Sequence, residues 1–500
     1  MPKKGKDDLF RLIKSLSKTE KAYFRKFSER HIIGDKNNYL RLFDAIDGQE
    51  VYDEKALLKK EKYIRQLPYA KNYLMGSVLR AMQVFYGEHT DEHGQRRVMD
   101  NLWFLNKKKL YDLAIREIDK AKTVSWQSIT GYGYSDLLRI EESILFVQRD
   151  LNRMDEHVKN ALKREQELLE DLHLFSRITE YYLKAYSYYA KHGPHSSRTD
   201  TRSLKSEIET PLLRLGRQAR TFRCRKQLYT ALIGYYGLLA DGKKMHLYSG
   251  KLIALYKSRP DFIRANERLY NSALRSHGAA CIYSKEFNEA EQVLKALRKI
   301  RPEHPNDQFA MYLRALTLEV DIYWATRAFE KLISMYERRA DEMKRNFLDA
   351  ELHYYYGICT QVAVAYVYTA GYGQALKIIN TLFSDPRIKN FSLLENILAL
   401  LQIICWTELG HEYLYLVKNM KRRMGKNAES YLSIILDHYD KLSRLKDSSR
   451  ELNRETISRL ESLRNQVPFG IFSDYFDIVA WLQSRVSGRN VISILKEKRE

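Results

Sequence analysis

Between Leu274 and Pro302 the side chains keep a helix-turn-helix cadence. Leu274, Gly278 and Cys281 fall on one face of a first helix, Ala290, Leu294 and Leu297 on one face of a second, and Pro302 follows. Two antiparallel helices approach closely only where small side chains meet, which is the use expected of Gly278 and Ala290. Pro302 lacks an amide hydrogen and clashes with the preceding turn, so it ends the second helix. The cadence returns at Ala363, Tyr366, Ala375, Ile379 and Leu382, closed by Pro386, and more weakly at Leu102, Leu105, Ala114, Ile118 and Ala121.

These positions, Leu274, Gly278, Cys281, Ala290, Leu294, Leu297 and Pro302, resemble the packing positions of the tetratricopeptide repeat (TPR) family, in spacing more than in identity. Ala114 precedes Ala290 by 176 residues and Ala290 precedes Ala375 by 85. Both intervals fit multiples of roughly 43 residues, against about 34 for the standard repeat. The expected fold is therefore all-α: a right-handed, TPR-like α-solenoid of about eight antiparallel pairs of long helices. The resemblance implies a surface that recognises segments of other proteins. The family's carboxylate-clamp pattern is not recognisable, so no ligand-binding residue carries over.

Composition agrees with helix. Only 9 prolines and 22 glycines occur in 500 residues, too few for many strands and tight turns. Cys224, Cys281, Cys359 and Cys405 are scattered without paired spacing, which implies neither a disulfide framework nor a zinc site and fits a reducing cytoplasm. The basic start Met-Pro-Lys-Lys-Gly-Lys leads into Asp7 and Asp8, not into an apolar secretory core. From Tyr354 to Leu376 no charged residue occurs over 23 positions. Gly371, Tyr372 and Gly373 sit at the expected turn, so the stretch reads as a buried helix pair and not as a membrane span.

Three regions are expected. Residues 1–90 form an N-terminal helical unit, with a capping box at Ser17 and Glu20 and helices at 38–46, 53–65 and 68–85. The polar tract 87–94 reads as a linker. Residues 95–445 carry the repeats, interrupted by an exposed loop at 191–203, and residues 446–500 form a helical cap rich in large apolar groups such as Phe472, Phe476 and Trp481.

Motifs for chemistry are absent. There is no Gly-x-x-x-x-Gly-Lys, Gly-x-Gly-x-x-Gly, Gly-x-Ser-x-Gly or His-Glu-x-x-His segment, so no catalytic, metal-binding or cofactor-binding residue is assigned and no enzyme is expected. His89 and His93, and His192 and His195, read as parts of exposed polar segments. Glu141, Glu142, Glu165, Glu167, Glu170 and Asp171 read as solvated helix faces.

Charge and tyrosine remain as binding signals. Lysine and arginine total 85 against 63 acidic residues, a net charge of +22 that favours acidic partners. Arg214, Arg217, Arg220 and Arg223, followed by Arg225 and Lys226, form a cluster without an acid. A second cluster, Lys418, Lys421, Arg422, Arg423 and Lys426, suits a helix C-terminus. Tyr182, Tyr186 and Tyr189 recur on one helix face. The expected function is a non-enzymatic scaffold gripping a peptide or protein partner, with those arginines and tyrosines as candidate contacts. The alternative is a nucleic-acid-associated regulator docking on phosphate through Lys59, Lys60, Lys62, Arg65, Lys71 and Arg80.

Overall fold

A computed structural model describes residues 7–29, 38–50, 52–60, 66–87, 91–127, 132–192, 203–301, 305–346, 352–424, 430–444, 449–463 and 472–498. Among these residues the fold is all helical; most helices after Asp91 pack chiefly on their neighbours in the chain, whereas Asp8–Ser15 packs on Asn38–Asp47 and Lys18–Glu29 on Leu67–Gly87. The chain forms two compact units, Met1–Glu170 and Asp171–Glu500, with the boundary inside the helix Leu162–His192.

In the first unit, the helices Asp8–Ser15, Lys18–Glu29, Asn38–Asp47, Glu54–Lys60 and Leu67–Gly87 enclose Leu9, Phe24, Phe43, Ile46, Leu74 and Val78. The capping box forms as its residues dictate. The Ser17 amide donates to Glu20 Oε2 at 2.6 Å and the Glu20 amide donates to Ser17 Oγ at 3.2 Å, satisfying two donors that the first helical turn leaves open. The helices Asp91–Lys107, Tyr111–Gln127 and Tyr132–Gln148 follow around Leu102, Ile118, Leu137 and Ile144. The tract read as a linker is already helical from Asp91.

The second unit contains the best-kept cadence. Glu267–Tyr283 and Phe287–Lys299 are its two helices, with Leu274, Ala290, Leu294 and Leu297 buried. Pro302 lies outside the described residues. Gly278 serves a different contact from the one its spacing suggests: a β-carbon there would lie 2.6 Å from Leu318, on the helix Pro305–Ala325 of the next pair. The small residue thus admits the following pair and not the second helix of its own. The uncharged stretch becomes two helices, Leu352–Tyr368 and Tyr372–Phe383, with Ala363 and Ala375 fully buried. Among the described residues no helix is long and apolar enough to cross a membrane.

One turn recurs between helices. Lys109, Arg149, Ala240, Lys285, Arg327, Ala370 and Gly410 all adopt left-handed φ values from 52° to 72°. In six of these turns the next amide reaches back five residues, as when Asp241 donates to Tyr236, Glu286 to Cys281, Gly371 to Tyr366 and His411 to Trp406, at 2.7 to 2.9 Å. That bond satisfies a carbonyl at the helix end and reverses the chain. From Ala240 onward the turns follow at intervals of 45, 42, 43 and 40 residues.

The C-terminal helices do more than close the last pair. The Trp324 indole donates to the Asp474 carbonyl at 3.2 Å, Phe476 stacks on Tyr368 at 5.4 Å, and Arg485 pairs with Glu408 at 2.9 Å. Trp324, Tyr368 and Glu408 end three successive first helices, so this segment folds back along them and buries Phe472, Phe476, Ile478 and Trp481 against the same core.

Candidate functional site

The arginine cluster divides. Arg214, Arg217 and Arg220 are exposed on and after the helix Thr210–Gly216, and among the described residues they form no ion pair. Arg223 is different. It lies on the next helix, Phe222–Leu238, buried, and donates through Nη2 and Nε to Asp171 Oδ2 at 2.6 and 3.2 Å. The same carboxylate accepts the Thr221 hydroxyl at 2.7 Å, while Thr221 caps the helix through the Cys224 amide. Asp171, read from sequence as part of a solvated face, is the internal counterion of this arginine. Arg223 presents no free cation to a partner.

The tyrosines divide as well. Tyr186 is 61% exposed. Tyr182 is half-buried beside Gly234, packed with Tyr181 and Tyr188 on the core around Ile178 and Leu232. The side chain of Tyr189 lies outside the described residues. Two other tyrosines are buried with carboxylate partners: Tyr356 donates to Asp385 and Tyr366 to Glu337, both at 2.8 Å. In the second basic cluster Lys421 pairs with Asp437 and Arg423 with Glu395, each at 2.7 Å, and Lys426 lies outside the described residues.

Two acidic groups read as solvent-facing turn inward. Glu141 is 2% exposed; it accepts from Lys122 and lies 2.6 Å from His157 Nδ1, with Glu142 3.1 Å from Nε2 of the same ring. His157 opens a π-helical turn, His157–Ala161, that swings the ring toward both carboxylates. Glu141 and His157 border a cavity of about 310 Å³ lined also by Asp119, Tyr134, Arg153 and Arg164. Its charges answer one another: Arg153 pairs with Asp119, and Arg139 pairs with Glu165 nearby. The periodicity of the sequence could not reveal this, because one extra residue in the π-turn shifts the helix face.

A further cluster joins residues that sequence spacing left apart. His246 stands on Gly242–Lys257, His277 and Cys281 on Glu267–Tyr283, and Glu289 in the first turn of Phe287–Lys299. One ligand atom from each of the four lies within 4.8 Å of the others. His246 Nε2 is 2.7 Å from Glu289 Oε2, His277 Nε2 is 3.1 Å from Glu289 Oε1, and Cys281 Sγ is 4.0 Å from His277 Nε2. The imidazoles stack at 5.5 Å, and Ser249 Oγ meets His277 Nδ1 at 2.8 Å. Burial holds the His277 pKa below its ordinary value and pushes the Cys281 thiol up to about 12, while hydrogen bonds and charge from His246 and His277 outweigh burial and lower that of Glu289. The only sequence signal was the four-residue step from His277 to Cys281, which sets both on one helix face.

No protein-family model, no curated protein and no solved structure matches the chain.

Proposed function

We propose that the chain is a non-enzymatic, TPR-like helical-repeat scaffold, a right-handed solenoid of about eight helix pairs that binds an acidic peptide or protein segment. The observation that carries this reading is the left-handed turn at Ala240, Lys285, Arg327, Ala370 and Gly410, recurring every 40 to 45 residues. A turn repeated at one period is what successive copies of one structural unit produce, and stacked units offer an extended surface instead of a closed catalytic pocket. The net charge of +22 favours an acidic partner. Arg214, Arg217 and Arg220 supply cations that form no ion pair among the described residues, and Tyr182 and Tyr186 supply aromatic surface in the same unit. A reducing cytoplasm suits four free, buried cysteines.

Affinity capture from the native cell tests the reading. A reproducible protein partner is expected, lost when Arg214, Arg217 and Arg220 are all changed to glutamate. Recovery of no protein partner overturns it. Nucleic acid released steeply by salt would instead support the phosphate-docking alternative. That alternative has fewer cations than its sequence suggested, because Lys71 Nζ is engaged by Tyr52 at 2.9 Å and Glu54 at 3.6 Å.

A further inference from the structure

We infer that His246, His277, Cys281 and Glu289 form a four-ligand site for a transition-metal dication of the zinc class, joining three helices. The donor set carries the inference first. Two imidazoles, one thiol and one carboxylate are nitrogen, sulfur and oxygen ligands of borderline softness, which suit zinc and do not suit magnesium or calcium. With a thiolate and a carboxylate the set carries two negative charges. A dication neutralises them, which matters because His277 and Cys281 are buried.

Geometry carries it further. Zinc bonds of the usual length set tetrahedral ligands about 3.3 to 3.7 Å apart. The contacts of 2.7 and 3.1 Å, made to the two oxygens of Glu289, and of 4.0 Å bracket that range, and one ligand atom from each of the four residues lies within 4.8 Å of the others, so side-chain adjustments alone draw them around one ion. Ser249 occupies His277 Nδ1 and leaves Nε2 for the metal, the outer-shell arrangement that fixes a ligating imidazole. Glu289 and His246 are partly exposed and form the entry side, whereas Cys281 closes the inner side. All four ligands come from protein, which marks a structural site and not a catalytic one with an open position. On binding, the Cys281 S–H bond breaks, its proton passes to solvent and the sulfur electron pair bonds the metal. No oxidant or reductant takes part.

The rival arrangement is a closed hydrogen-bond network, in which Glu289 simply bridges the two imidazoles. Metal titration of the untagged full-length chain separates the two. After chelator treatment and dialysis against Zn²⁺, one zinc per chain is expected, with a melting temperature that rises with zinc and falls back with chelator. Co²⁺ in place of zinc should give the intense visible bands of tetrahedral cobalt together with a thiolate-to-cobalt charge-transfer band. Cys281→Ser should abolish the charge-transfer band, and His246→Ala, at a partly exposed position, should weaken zinc binding at least tenfold. Ser249→Ala should weaken it about tenfold through loss of ring orientation. Failure of the wild-type chain to retain zinc, a cobalt spectrum without the thiolate band, or undiminished zinc in a His246→Ala, Cys281→Ser double variant overturns the site. The wild-type spectra stand whether or not a variant folds.

Discussion

The α-carbon of Gly242 faces the carbonyl of Tyr283 so closely that no methyl group fits between them, and a β-carbon there would also lie 2.8 Å from the Ser284 amide nitrogen. Gly242 opens one helix and Tyr283 ends another, so this contact sets how closely the N-terminus of Gly242–Lys257 meets the end of Glu267–Tyr283. Both obstructing groups are backbone and cannot rotate away.

Gly242→Ala should therefore destabilise the chain by about 3 kcal/mol, the upper range for overpacking. Gly278→Ala should cost less, about 1 kcal/mol, because the atoms it meets are the terminal methyls of Leu318. Gly250→Ala should stabilise by about 0.5 to 1 kcal/mol, since a β-carbon there meets nothing within 4 Å and glycine weakens a helix interior. Urea-unfolding midpoints of the three variants should rank in that order, and equal midpoints for Gly242→Ala and Gly250→Ala would remove the backbone argument.

The recurring turn makes a second prediction. Arg327 and Ala370 hold left-handed φ values of 56° and 61°, where a β-carbon crowds the following carbonyl. Arg327→Gly and Ala370→Gly should each raise stability by about 0.5 to 1 kcal/mol, and Gly410→Ala, at φ 72°, should lower it by a similar amount. Thermal melts check the signs.

These turns also explain what the sequence could and could not show. The helix pairs were legible where burial demands small residues: Ala290, Ala363 and Ala375 have no exposed surface, and each stands where the cadence predicts. The repeated turn was hidden because lysine, arginine and alanine occupy a position that normally advertises itself with glycine. The His246, His277, Cys281 and Glu289 cluster was hidden for another reason. Its members lie on three helices, and local periodicity cannot report which faces meet once the helices stack. Arg223 differs from Arg220 in the same way: three residues on, past the cap at Thr221, the side chain points into the unit and finds Asp171.

That difference is measurable. Removing the guanidinium in Arg223→Ala leaves the Asp171 carboxylate, itself only 14% exposed, without its counterion, at a cost of about 3 kcal/mol or more. Arg214→Ala, Arg217→Ala and Arg220→Ala remove exposed, unpaired cations and should each change stability by less than about 0.5 kcal/mol. Chemical denaturation of the four variants tests the division, and a neutral Arg223→Ala would contradict the buried pair.

A pH effect follows from His438. The ring is buried, and its Nδ1 lies 2.9 Å from Thr456 Oγ1, whose own proton goes to the Leu452 carbonyl at 2.9 Å. The hydroxyl must then accept, so the neutral imidazole carries its proton on Nδ1 and donates it. Burial pushes the His438 pKa down to about 4, the positive charge of Lys441 acting in the same direction and Glu455 opposing them. A histidine depressed in the folded state binds protons more readily when unfolded, so its contribution is complete above the ordinary value of 6.5 and is lost as pH falls toward about 4. Between about pH 7.5 and about pH 5 the loss is about 2 kcal/mol. His438→Gln keeps a donor for Thr456 but does not titrate. Its unfolding midpoint should vary less over this interval than that of the wild-type chain, by about that amount, and an unchanged pH dependence would show that the ring is protonated as easily in the fold as outside it.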